Sequence, residues 1–149
     1  MRFAVAGLAL LALVATGCES AEERGAEKAL EQAADRSTCL ADATPAATPY
    51  PDGAPTDWPF PPSTVVFSVE DRGDSGIILT GVTSTPFQDV LDFMNGTVQD
   101  AGFKVTEGET EDHDAEANWE GNGYRGRWAI RESGTCPGET VIQVLSTDD

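Results

Sequence analysis

The sequence predicts an α+β fold: an antiparallel sheet of about six strands with one helix packed on one face, in the order strand-strand-helix-strand-strand-strand-strand. Three observations predict it. Val65, Phe67 and Val69 alternate with Val66, Ser68 and Glu70, the two-residue period of a strand. The run 86–101 repeats apolar residues with the period of a helix. Asn122-Gly123 is the preferred two-residue turn of a hairpin, and the runs on either side of it pair sensibly in a single register. One apolar helix stripe and one apolar sheet face bury each other in two layers, which leaves the second sheet face expected to be polar and solvated.

Each element follows in turn. The strand from Thr64 is followed by the turn-rich hexapeptide Asp71–Gly76 and a second strand, Ile77–Val82, so the pair reads as a hairpin. The Arg72-Gly73-Asp74 tripeptide resembles an integrin motif, but the turn accounts for every residue in it. Pro86–Ala101 is the helix. Thr85 is expected as N-cap, Pro86 at the first helical position, and Gln88 as the return partner of a capping box. Phe87, Val90, Leu91, Met94 and Val98 share one stripe, and Gly102 stops the helix. Phe103–Glu109 returns as a strand with Phe103 and Val105 inward. With Asn122-Gly123 as the loop, Trp119 faces Gly126, Ala117 faces Trp128 and Ala115 faces Ile130. On the other face of the same hairpin, Glu120 meets Arg125, Asn118 meets Arg127 and Asp114 meets Arg131. The turn Ser133–Gly138 leads to a last strand around Val141–Leu145. Phe67, Phe87, Phe103, Trp119 and Trp128 suffice for a small core.

Upstream of this domain, 64–149, the sequence changes character twice. The stretch 43–63 holds Pro45, Pro49, Pro51, Pro55, Pro59, Pro61 and Pro62, and reads as a semi-rigid linker in extended polyproline conformation. Trp58 and Phe60 are too large to leave in water, so its downstream end is expected on the domain edge. The segment 18–42 opens with the helix-forming stretch Glu19–Arg36, where Ala26, Leu30, Ala33 and Ala34 form a faint apolar stripe. Such a helix is marginal alone; its nearness to Cys39 suggests docking through a disulfide, and a flexible acidic spacer is the equal alternative reading of the stretch.

Residues 1–17 have the layout of a secretory signal peptide: Arg2 behind Met1, then the unbroken apolar or small run Phe3–Ala15. The run is too short to span a bilayer, which needs roughly 20 apolar residues. Ala15-Thr16-Gly17-Cys18 resembles the lipobox of bacterial lipoproteins, with Ala15 where Leu is commonest. The resemblance implies that Cys18 carries fatty chains and becomes the mature N-terminus. The acidic, Ala/Gly/Thr-rich remainder resembles, in manner only, small uncharacterised lipoproteins of high-GC Gram-positive bacteria. This implies a place, the extracytoplasmic face of the cell membrane, and no activity.

Cysteine arithmetic agrees with export. Of the three cysteines, Cys18 is assigned to lipid, and Cys39 and Cys136 are expected to form a disulfide in an oxidising compartment. No CxxC pair and no zinc spacing is present.

The net charge of −17 excludes nucleic acid as a partner, and the protein is expected to meet the membrane through its lipid and to present itself to an envelope protein. No catalytic constellation is legible. The one histidine, His113, sits among Glu111, Asp112 and Asp114, and no serine lies in a GxSxG elbow. The densest set of oxygen ligands is Glu109, Glu111, Asp112 and Asp114, a weak cation site at most, because the glycine and closing glutamate of an EF-hand are missing. No cofactor is expected. The reading is thus a membrane-tethered interaction module, with a carrier of a small molecule or metal ion as the alternative.

Overall fold

The computed structural model describes residues 38–149 together with Arg24 and Gly25. The expected signal peptide 1–17, Cys18 and most of the stretch 19–36 lie outside the described residues. Six strands form one antiparallel sheet: β1 (Val65–Asp71), β2 (Ile77–Thr83), β3 (Lys104–Thr110), β4 (Asp114–Gly121), β5 (Tyr124–Glu132) and β6 (Thr140–Asp148). Their spatial order is β1-β2-β6-β5-β4-β3, so β6 is inserted between the β1–β2 hairpin and the β3–β4–β5 meander. The α+β class is as the patterning predicts.

The β4–β5 hairpin carries the predicted register throughout, from Gly121 opposite Tyr124 to Asp114 opposite Arg131. Its turn places Asn122 at φ 55° and Gly123 at φ 85°, the left-handed pair that a tight hairpin of this hand requires.

The expected single helix is two. α1 spans Phe87–Asn95 and α2 spans Thr97–Asp100, with Gly96 between them at φ −119°, ψ −78°. Glycine has the weakest hold on helical geometry after proline, and here the axis breaks while Met94 and Val98 both stay buried on the sheet. The expected capping box does not form. Pro86 occupies the N-cap with extended angles and no side-chain cap bond. The Thr85 hydroxyl instead donates to Pro62 O at 3.4 Å and meets Thr83 Oγ1 at 3.1 Å, tying the helix start to the chain before β1.

One face of the sheet packs α1 and α2. Ile77 and Leu79 of β2, Ile142 and Val144 of β6, Trp128 and Ile130 of β5, and Trp119 of β4 meet Phe87, Val90, Met94, Val98 and Phe103 in one cluster. The stretch read as a linker joins them. Ala54 and Trp58 are buried in the cluster, with Trp58 4.6 Å from the Trp119 ring and 4.9 Å from Phe103. Phe67, expected inward, is only half-buried, because the β1 register shifts between Val66 and Ser68.

The second face departs most from expectation. It is not solvated over its β2 and β6 half: Ile78, Thr80 and Val82 of β2, and Val141, Gln143 and Leu145 of β6, are all buried. Toward β4 and β5 the same face is polar, with Asp114, Glu116 and Asn118 facing Arg131, Ala129 and Arg127. The near-continuous apolar runs of β2 and β6 were visible, but their interior place in the sheet was not, and they were read as if one side met water.

Candidate functional site

Among the described residues, the polar half of the second face gathers charged and amide groups around a hollow. A cavity of about 320 Å³ opens at the sheet end where β5 turns into β6. Its floor is the cross-strand row Glu116, Ala129 and Gln143, and its flanks bring Glu109, Asp114 and Arg131. The small side chain of Ala129 leaves the room between its larger neighbours.

Two contacts stand near the cavity, and a third lies at the other end of β4. Arg127 grips Glu116 with two nitrogens, Nε to Oε2 at 3.2 Å and the terminal Nη2 to Oε1, and its Nη1 donates to Asn118 Oδ1 at 3.3 Å. His113 Nδ1 lies 2.8 Å from Glu132 Oε2, with both side chains largely exposed. Lys104 pairs with Glu120 at 3.6 Å across β3 and β4. The charge pattern read from the hairpin is therefore redistributed. Register is as predicted, but Arg127 chooses the diagonal Glu116 over sharing its whole fork with Asn118, since a carboxylate accepts both nitrogens.

The residues predicted as a weak cation site are partly gathered. Glu109, Glu111 and Asp114 line the cavity and Asp112 does not. Among the described residues, the one group of three ligand atoms lying within 4.8 Å of one another is Cys39, Cys136 and Glu139. Those sulfurs are joined to each other, with Cα atoms 5.7 Å apart. Glu139 Oε2 accepts the backbone N–H of Leu40 at 2.8 Å, so this carboxylate pins the incoming chain beside the disulfide.

Gln143 is the residue that sequence reasoning passed over. It is 4% exposed, lines the cavity, and its Nε2 meets no hydrogen-bond partner. Thr80 Oγ1, its cross-strand neighbour, is likewise buried without a partner. The available signal was a glutamine in the middle of an otherwise apolar strand, Val141–Leu145. Among the described residues, His113 Nδ1 meets the Glu132 carboxylate and no hydroxyl or thiol.

Elsewhere, Tyr50 donates its hydroxyl to Trp58 O at 3.2 Å, and burial pushes its pKa above the ordinary 10. Among the described residues, no helix is long and apolar enough to cross a membrane. Comparison with protein-family models, curated proteins and solved structures finds no match to this chain.

Proposed function

We propose that the protein is a cell-envelope lipoprotein, held at the extracytoplasmic face of the cell membrane by fatty chains on Cys18, with residues 38–149 presented as a binding module for an envelope protein. The observation that carries the reading is the apolar run Phe3–Ala15 leading into Ala15-Thr16-Gly17-Cys18. The Cys39–Cys136 disulfide supports it, because paired cysteines persist in oxidising compartments. The charge of −17 supports it too: so acidic a chain is repelled by anionic headgroups, so its hold on a membrane goes through acyl chains.

The test compares the full chain with Cys18→Ala in a bacterial host, reading intact mass and detergent-phase partitioning. The parent is expected in the detergent phase, lacking residues 1–17 and heavier by acyl groups, and Cys18→Ala in the aqueous phase. Parent protein that keeps Met1 and stays aqueous overturns the reading.

One observation favours a second reading, a carrier of a small polar molecule. The cavity floored by Gln143 offers an unpartnered amide nitrogen beside carboxylates and Arg131. The spread of those carboxylates favours a molecule with several hydrogen-bonding groups over a bare metal ion. A native mass spectrum of protein from its own envelope showing a retained non-covalent mass, lost in Gln143→Leu, supports this reading, and a bare-chain mass removes it.

A further inference from the structure

The hollow on the second face has two unlike flanks. The flank on β3 and β4 is acidic. Glu109 stands opposite Glu116, and Glu111 is tied to Asp114 by its backbone N–H donating to Asp114 O at 2.8 Å. The flank on β5 and β6 carries donors. Arg131 stands opposite Val141, and Gln143 is two positions further along β6 on the same face, so guanidinium and amide are diagonal neighbours. Between the flanks the floor rises no higher than the methyl of Ala129. Neighbouring strands lie about 4.8 Å apart, so the backbones of β4 and β6 stand roughly 10 Å apart, with room for a short extended molecule across Ala129.

The groups that lack a partner decide what that molecule is. Glu116 is held by Arg127, and Glu132 by His113. Among the described residues, Glu109, Glu111, Asp114 and Arg131 make no ion pair, although Asp114 and Arg131 are directly opposite in register. The Gln143 side chain lines the cavity, is 4% exposed, and its Nε2 meets no acceptor. A buried N–H left unmade is costly, and it asks for an acceptor from outside the chain. A bare cation offers none. Three unpaired carboxylates against one unpaired guanidinium ask for surplus positive charge in the same ligand.

We propose that this hollow binds a free amino acid with a basic side chain. Its carboxylate is taken by Arg131 and Gln143 Nε2, and its two ammonium groups by Glu109, Glu111 and Asp114. A carboxylate accepts a guanidinium and an amide N–H together, and two ammonium groups match the acidic surplus that a neutral zwitterion leaves uncompensated. The cavity of about 320 Å³ falls at the small end of ligand sites, which start at about 300 Å³. This inference rests on the reading of the protein as a carrier of a small polar molecule, and names the class of that molecule.

Calorimetric titration of the full chain in detergent micelles tests it with three probes. L-lysine carries both ends, norleucine lacks the side-chain ammonium, and cadaverine lacks the carboxylate. L-lysine is expected to bind about tenfold tighter than either analogue, the factor that one hydrogen bond to a charged group supplies. Asp114→Asn is expected to erase the preference over norleucine and keep that over cadaverine. Arg131→Gln is expected to do the reverse. A variant that had merely unfolded would lose both preferences, and Glu109→Gln on the exposed edge strand repeats the acidic arm. L-lysine that gives no heat at millimolar concentration, or binds no tighter than one of the analogues, overturns the proposal. If protein from the native envelope then still retains a non-covalent mass, the carrier reading stands with another ligand, and a bare-chain mass removes both. None of these results bears on acylation of Cys18.

Discussion

At the scale of single residues, the strongest constraints are steric and protonic. Gly126 stands opposite Trp119, and a Cβ there would collide with the Leu145 carbonyl and come within 3.0 Å of the Trp119 ring. Gly126→Ala is expected to lower stability by about 1–3 kcal/mol through overpacking, measured by urea unfolding. Tyr50 gives a pH dependence with a definite sign. Burial raises its folded-state pKa above 10. The native chain therefore keeps a proton that the unfolded chain releases first. Its contribution is complete below pH about 10 and is lost as pH climbs through the raised folded value. Tyr50→Phe should flatten the decline of stability above pH 10 and leave the slope at pH 7–8 unchanged. The pairing of Trp119 with a glycine was readable beforehand, because a two-residue turn fixes which residues oppose. The burial of Tyr50 was not, since nothing local marks a tyrosine among prolines as packed.

At the scale of elements, local signals worked where they were self-contained and failed where a distant partner intervened. The β4–β5 hairpin was fully legible, since its turn, its register and its alternation lie within one stretch of chain. The helix was legible as a stripe but not as two pieces, and its cap was misread because Pro62, more than twenty residues upstream, competes for Thr85. The proline-rich run was read as a linker with its downstream end packed on the domain edge, and Trp58 goes further, into the core. Proline removes backbone donors but does not stop a side chain from packing, and Trp58 is 2% exposed between Trp119 and Phe103. Trp58→Ala should therefore cost about 3–5 kcal/mol in chemical unfolding, as for a core tryptophan. An unchanged midpoint would return the run to the status of a spacer. Of the candidate site, the acidic residues were legible and their cavity was not, because the hollow is made by Ala129 opposite Gln143, and the turn Ser133–Gly138 that joins their strands does not fix that register.

At the scale of the molecule, the disulfide and the strand order act together. Cys39 and Cys136 are 97 residues apart, and closing such a loop is worth about 4–5 kcal/mol in the chain-entropy account. The double variant Cys39→Ser, Cys136→Ser should unfold at correspondingly lower urea, with more change in the midpoint than in the slope. The interposition of β6 between β2 and β5 has a separate consequence. Until that strand emerges, the chain holds only two unjoined fragments, a hairpin and a meander, each with an unzipped border and no shared interior. Maturation is then abrupt and late. A polypeptide built this way stays pliable until its closing piece slots home, and locks into shape only then.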